Sequence, residues 1–128
     1  MRIEHIGVWV RDLDRVAAFY AEHLAAQVGE LYRNPAKGFA SRFLTVGGGA
    51  RIELMTRTDV TARFDGEGLG LAHLAIEVGD EAEVDRLAAR LGAAGALLSA
   101  PRRTGDGYYE CVARDPEGNR IELMAGRV

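Results

Sequence analysis

Several features are scarce or missing in this chain of 128 residues, and each absence excludes a class of protein. The single cysteine, Cys111, excludes an internal disulfide framework and fits a reducing compartment, where we expect it to be a small buried side chain in a strand. The formal net charge is only -3, which provides no general attraction to nucleic acid or to an anionic membrane. The longest weakly polar stretch, Leu91 to Ala100, is far shorter than the roughly 20 residues that a membrane-spanning helix needs.

What remains is the composition of a soluble globular protein, with 48% hydrophobic and 27% charged residues. Either half of a chain of 128 residues would be too short to bury much surface by itself. We therefore expect one domain over residues 1–128. The charged first residues pass directly into a strand pattern, without the apolar stretch and cleavage site of a targeting segment. We therefore expect a cytoplasmic protein.

The most informative feature is a repeat. The pentapeptide Arg-Ile-Glu-Leu-Met occurs at Arg51–Met55 and again at Arg120–Met124. A histidine in an apolar, strand-like run precedes each copy, His5 the first and His73 the second. The histidine lies 48 residues before the glutamate of its copy in the first case and 49 in the second. A repeat that contributes one imidazole and one carboxylate per copy supplies four ligands for one divalent metal.

Each copy predicts the same order of elements, βαβββ, and hence an α+β fold. Alternation of apolar residues with period two indicates strands, and apolar residues at helical spacing indicate one amphipathic helix. The first copy predicts a strand from Ile3 to Val10, a helix from Asp12 to about Ala26, a short strand around Val28 to Tyr32, and strands at Phe39–Val46 and Arg51–Thr56.

The second copy repeats this order, and a loop-like linker at residues 59–69 separates module 1–58 from module 70–128. Asp80 followed by Glu83 is typical of a capping box that starts the helix. The predicted elements are a strand at Leu71–Val78, a helix from Asp80 that ends in Gly92–Gly95, and strands at Ala96–Ser99, Tyr108–Arg114 and Arg120–Met124.

Strand alternation places both repeat glutamates on the face opposite the aliphatic residues. A single strand histidine is usually a hydrogen-bond partner, and Glu53 or Glu122 alone would be expected to reach solvent or a nearby arginine. The four residues in matched register favour a metal site with His5, Glu53, His73 and Glu122 as ligands. Mixed nitrogen and oxygen ligands suit Zn²⁺, Ni²⁺, Co²⁺, Fe²⁺ or Mn²⁺ rather than Ca²⁺. His23 has no counterpart in the second copy and is expected to be a surface or interhelical residue.

At these motifs the sequence resembles the glyoxalase, bleomycin-resistance and dioxygenase superfamily, also called the vicinal oxygen chelate superfamily. The resemblance covers essentially the whole chain. It depends on the two pentapeptides and on Glu4–Val8, Asp12–Asp14 leading to Phe19-Tyr20, Ala72–Ala75, Thr104–Glu110 and Asp115–Glu122. It implies two tandem βαβββ modules that form a curved mixed sheet around a metal, with modules paired within one chain or between the chains of a homodimer.

Within that superfamily a full His, Glu, His, Glu set resembles glyoxalase I, the lactoylglutathione lyases. The resemblance implies one divalent metal and, as substrate, the hemithioacetal of methylglyoxal with glutathione or another thiol. It also implies that Glu122 moves the proton between neighbouring carbons, with Glu53 in the mirrored role. Lys37, Arg102 and Arg103 are candidates for binding the thiol's carboxylates by their charge alone.

Two other functions remain open at this point. One is a different metalloenzyme of the superfamily, such as an epimerase or a ring-cleaving dioxygenase. The other is a binding or sequestration protein that keeps the pocket without turnover.

Overall fold

The structure is a computed structural model that describes residues 1–63 and 67–126. The chain divides into two compact units, residues 1–65 and 66–128, and each consists of one β-sheet and one α-helix. The predicted α+β class is therefore confirmed. Within the described ranges neither helix combines the length and the apolar character that crossing a bilayer requires.

The first unit has a mixed sheet in the strand order β1-β5-β4-β2, with β3 also paired to β4. Strand β1 runs parallel to β5, and the remaining pairs are antiparallel. A 3-10 turn at Pro35–Lys37 separates β3 from β4. The elements are β1 (His5–Trp9), α1 (Leu13–Leu24), β2 (Gln27–Val28), β3 (Tyr32–Asn34), β4 (Phe39–Thr45) and β5 (Arg51–Arg57).

The single short strand predicted around Val28 to Tyr32 is wrong, because two strands lie there. Val28 pairs with Leu44, and Tyr32 pairs with Ser41. The chain therefore advances four residues from Val28 to Tyr32 while β4 advances only three. One residue too many interrupts the ladder, as in a β-bulge. The Gly29 N–H still donates to the Phe43 carbonyl at 2.8 Å before the chain leaves the pairing.

Helix α1 starts and ends where its local chemistry requires. The Asp12 carboxylate accepts a hydrogen bond from the Arg15 backbone N–H at 3.1 Å, as an N-cap does. The helix ends at Leu24 because Ala25 adopts a left-handed conformation with φ of 53°. Its buried stripe, which includes Val16 and Tyr20, packs against β4 and β5.

The second unit has the strand order β6-β9-β8-β7, with β6 parallel to β9. Strand β7 continues to Arg103, well past the predicted end at Ser99. Pro101 is tolerated there because β7 is an edge strand, and its pairing with β8 shifts register on both sides of Ser99. The elements are β6 (Leu74–Gly79), α2 (Glu81–Ala93), β7 (Leu97–Arg103), β8 (Tyr109–Arg114) and β9 (Arg120–Ala125).

Helix α2 has the predicted start and covers one face of this sheet. The Asp80 carboxylate accepts a hydrogen bond from the Glu83 backbone N–H at 2.9 Å. Val84 and Leu91 are fully buried against the sheet. Cys111, in β8, is also fully buried, so the expectation of a buried strand cysteine is confirmed.

Candidate metal centre

In the first unit the structure brings His5 and Glu53 together on one face of the sheet. His5 begins β1, and the parallel register places Arg51 beside His5 and Glu53 beside Gly7. The histidine and the glutamate are therefore diagonal neighbours on adjacent strands. The distance from His5 Nε2 to Glu53 Oε1 is 3.5 Å, and both side chains are partly exposed.

The second unit repeats this arrangement with His73 and Glu122. His73 directly precedes β6 instead of lying within the strand as predicted, and the register places Glu122 beside Ala75. The distance from His73 Nε2 to Glu122 Oε2 is 3.2 Å. In both units the residue that faces the glutamate lies two positions after the histidine. The two pairs therefore have the same geometry.

Aliphatic neighbours determine which way the two glutamates point. Ile52 and Leu54 are buried under the helix of the first unit, and Ile121 and Leu123 are fully buried in the second. A one-residue slip of either strand would expose these side chains and bury the carboxylate, which is costly in both respects. The repeated pentapeptide therefore fixes Glu53 and Glu122 on the face away from the helix, called the open face below.

His5 has a second partner on its other ring nitrogen. Its Nδ1 lies 3.2 Å from Glu4 Oε2, and the Arg51 guanidinium bonds both oxygens of that carboxylate. The Arg51 hydrogen bonds hold the pKa of Glu4 below its ordinary value. A carboxylate on the outer nitrogen orients a metal-binding imidazole and leaves Nε2 for the metal. Glu4 is therefore suited to fix the direction of His5.

The turn before β9 determines where Glu122 begins its strand. Asp115 is buried, and its carboxylate accepts hydrogen bonds from the backbone N–H groups of Glu117 and Asn119 at 3.0 and 2.9 Å. Gly118 has a φ of 92°, which an L side chain rarely adopts. The Asp-Pro-Glu-Gly-Asn sequence is thus a self-bonded turn that sets the position of β9.

Glu110 is a carboxylate near the candidate site that the sequence reasoning missed. It is 6% exposed, lies opposite Met124 in the β8–β9 ladder, and shares the open face with Glu122. Burial raises the pKa of Glu110, and the negative charge of Glu122 raises it further, against the opposing effect of Arg102. The matching position of the first unit, opposite Met55, is Ser41. The register of β8 against β9 was the signal that could have identified Glu110.

The candidate residues for the thiol's carboxylates separate onto different surfaces. Arg102 lies opposite Glu110 on the open face. Arg103, one residue later, points to the helix side, where it pairs with Glu81 and lies over the Tyr109 ring at 5.4 Å. Lys37 ends the 3-10 turn and is exposed. Arg103 therefore points away from the open face, because adjacent strand residues point to opposite faces.

His23 is buried, so the first of its two expected positions, on the surface, is wrong. Only 8% of the residue is exposed, and its ring lies 4.8 Å from that of Phe19. Within the described part of the chain its Nδ1 has no hydrogen-bond partner. The helix stripe of α1 explains this position, since His23 follows Phe19 by one turn.

Each pair has donor atoms that fit a shared divalent ion. Metal–ligand distances of about 2.1 Å separate neighbouring ligand atoms by about 3.0 Å in an octahedron and about 3.4 Å in a tetrahedron. The observed separations are 3.5 and 3.2 Å. Among the residues that the structure describes, no cluster of three or more His, Cys, Asp or Glu side chains is arranged to hold a metal. What each unit provides is one imidazole and one carboxylate.

Comparison with known proteins identifies the family. The model of the glyoxalase/bleomycin resistance protein/dioxygenase superfamily matches residues 2–123. The chain belongs to this superfamily. A Pseudomonas aeruginosa protein named PA2024 is 33% identical over 138 aligned residues, which cover 98% of this chain and 89% of that protein.

Two solved structures have similar folds. The glyoxalase/bleomycin resistance protein/dioxygenase domain from Frankia sp. EAN1pec has a TM-score of 0.83 and 28% identity, with 98% of this chain and 91% of that chain covered. The trypanothione-dependent glyoxalase I of Leishmania major has a TM-score of 0.77 and 27% identity, with 98% and 86% covered. The likeness extends over nearly the full length of this superfamily member.

Proposed function

We propose that this member of the superfamily is a metal-dependent isomerase similar to glyoxalase I. The observation that supports the proposal best is the imidazole–carboxylate pair that occurs in both units with the same diagonal geometry. A glutamate at position 53 as well as at 122 provides the complete His, Glu, His, Glu set that resembles glyoxalase I. The glyoxalase I of Leishmania major among the similar structures is in keeping with this assignment.

In this proposal His5, Glu53, His73 and Glu122 together ligate one divalent metal. The two pairs come either from one chain or from two chains of a homodimer. Zn²⁺, Ni²⁺, Co²⁺, Fe²⁺ and Mn²⁺ are compatible with two nitrogens and two carboxylates. When bound, the metal would act as a Lewis acid that polarises the neighbouring oxygens of the substrate.

The substrate in this proposal is the hemithioacetal of methylglyoxal with glutathione or another thiol. The reaction moves a proton from the carbon bonded to sulfur to the neighbouring carbonyl carbon, the hydroxyl proton passes to the neighbouring oxygen, and the product is a thioester. No external oxidant is required, because one carbon is oxidised as its neighbour is reduced. Glu122 removes and returns this proton as the general base, and Glu53 serves mainly as a ligand.

Two of the arginines that could bind glutathione carboxylates have other positions or partners. Arg103 lies on the helix side, and Arg51 is engaged by Glu4. The Leishmania major enzyme depends on trypanothione. The assay should therefore include more than one thiol.

Formation of the thioester tests the proposal directly. Metal-replete protein is mixed with methylglyoxal and a thiol, and the ultraviolet absorbance of the thioester is followed. We expect turnover that disappears on chelation and returns with added metal. Glu30→Gln, at an exposed position between β2 and β3, is the matched control and should retain activity. Absence of thioester with glutathione and with simple thiols, in protein that contains its metal, would exclude the proposed reaction.

A further inference from the structure

Aromatic side chains line the open face of the first sheet, starting at the His5–Glu53 pair. Phe43 lies opposite Glu53, and its ring is 5.3 Å from that of His5. Farther along the same face, the Phe39 ring lies 6.2 Å from Trp9 and 6.1 Å from Tyr32. We call these four residues, Phe43, Phe39, Trp9 and Tyr32, the aromatic row.

The aromatic row is accessible at its far end. Trp9 is 40% exposed and Tyr32 is 56% exposed, whereas aromatic residues of this size are mostly buried in a folded domain. Their edge-to-face contacts with Phe39 hold the rings in place. A ring that enters between them would therefore meet a surface that is already organised.

Two arginines extend this surface with flat guanidinium groups. Arg51 lies 4.1 Å above the Phe43 ring, and Arg57 lies 5.1 Å from the Trp9 ring. Acidic neighbours already neutralise both guanidinium charges, since Arg51 pairs with Glu4 and Arg57 pairs with Asp59 at 2.5 Å. The arginines thus offer planar stacking faces rather than unmatched positive charge for a carboxylate.

Met55 and the buried Ser41 lie between the two ends of the row. Met55 projects over Gly7, where an added Cβ would meet the Met55 methyl carbon at 2.9 Å. From His5 to Trp9 the strand advances four residues, or about 13 Å. A molecule that reacts beside His5 and Glu53 therefore needs a tail of about 10 Å to reach Trp9.

The second sheet repeats the aromatic row only in part, because Tyr108, two residues before Glu110, matches Phe39 but the positions of Trp9 and Phe43 are not aromatic. Trp9 faces Met55, but the residue that faces Met124 is Glu77. Phe43 faces Glu53, but the residue that faces Glu122 is Val112. The repeat fold therefore accommodates non-aromatic residues at the positions of Trp9 and Phe43.

We propose that the aromatic row binds the tail of the substrate, and that this tail ends in a flat apolar ring. This inference rests on the proposed function, because the reacting carbons are taken to lie at the His5–Glu53 pair. It names the substrate class as a hemithioacetal, or a related compound with neighbouring oxygens, whose thiol portion has an aromatic end.

Hemithioacetals of methylglyoxal with phenyl-terminated alkanethiols test the inference through chain length. Each is compared with the hemithioacetal of the alkanethiol that has the same methylene chain and lacks the ring. We expect kcat/KM to be about 10-fold higher with the ring, mainly through KM, when about four methylenes separate ring and sulfur. Trp9→Leu and Tyr32→Leu should each reduce this ratio. Leu98→Ala, at an exposed position of β7, should leave it unchanged. A ratio near one at every chain length would overturn the inference.

Trp9 also provides a readout that is independent of activity, because it is the only tryptophan of the chain. Phenylbutanol and butanol are titrated into metal-free protein while tryptophan emission is recorded. A saturable emission change at a concentration about 10-fold lower for phenylbutanol supports the ring site. Equal responses to the two alcohols contradict it.

The two experiments separate failure of the inference from failure of the proposed function. If no hemithioacetal is converted but phenylbutanol still binds selectively, the proposed reaction is wrong and the ring site remains supported. If methylglyoxal and glutathione are converted but neither experiment detects a preference for the ring, only the inference fails. If Trp9→Leu dissociates a dimer and the tryptophan emission of the wild-type protein does not change with either alcohol, the row is a subunit interface and the inference is overturned.

Discussion

At the scale of single residues, the proposed chemistry depends on two glutamates that occupy the same position in two sheets. Each lies beside a histidine, at 3.5 Å in one unit and 3.2 Å in the other. Their surroundings differ, because Glu110 lies opposite the methionine of one repeat and Ser41 opposite that of the other. This difference gives a physical reason to test the two glutamates separately.

We expect Glu122→Gln to lower turnover by roughly 100-fold or more while some metal affinity is retained, since the amide keeps the size of the side chain and loses the basic oxygen. Glu53→Gln should weaken metal binding more than it slows chemistry in protein that is saturated with metal. Steady-state kinetics with parallel metal analysis checks both expectations. Near-normal turnover by metal-loaded Glu122→Gln together with inactive Glu53→Gln would reverse the two roles.

Cys111 should be inert in the folded protein. Burial raises the pKa of its thiol above the ordinary value of 9.0, so little thiolate is present near neutral pH. The folded chain holds this proton more tightly than the unfolded chain. The resulting contribution to stability is therefore fully present below 9.0 and is lost as the pH rises through the folded-state pKa. An aromatic disulfide reagent should label native protein at least about 100-fold more slowly than urea-unfolded protein. Equal rates would contradict the burial of Cys111.

At the scale of elements, local sequence signals predicted the helices and the central strands well. The caps at Asp12 and Asp80 and the repeated pentapeptides each combine a local signal with a buried apolar stripe. The boundary between β2 and β3 and the extension of β7 past Pro101 depend on register and edge position. These are properties of strand pairing that a single strand's sequence does not contain.

In the candidate site, the shared face of His5 and Glu53, and that of His73 and Glu122, could be predicted because both copies of the repeat contain these residues. Glu110 was missed because the repeat does not contain it, and its place beside Glu122 follows from the pairing of β8 with β9. The aromatic row also escaped prediction, because its members come from separate strands and meet only in the sheet.

The N-cap of α2 provides a test of element stability. Asp80→Ala removes the side-chain acceptor of the Glu83 backbone N–H and should lower the free energy of unfolding by about 1 kcal/mol. Asp80→Asn retains an acceptor and should cost much less. Urea unfolding of the three proteins checks this expectation. An Asp80→Ala variant as stable as wild type would show that the cap contributes nothing here.

At the scale of the whole molecule, the chain consists of two units that each have one histidine–glutamate pair. The superfamily resemblance implies that such modules work in pairs, and we propose a homodimer on that basis. Sedimentation at micromolar concentration should therefore give about twice the mass of 13.9 kDa. A strict monomer that retains activity would exclude pairing between chains and leave pairing within one chain.

The number of metal ions per chain tests the central claim most directly. Two histidine–glutamate pairs that share a metal bind one ion per chain, whereas two independent sites bind two. Protein purified without chelator and analysed for its elements should contain about one divalent ion per chain, and His5→Ala and His73→Ala should each lose most of it. His23→Ala, which removes a histidine outside the proposed set, is the matched control and should keep the metal wherever the variant folds. Two ions per chain, or full metal content in His73→Ala, would contradict a single site formed by His5, Glu53, His73 and Glu122.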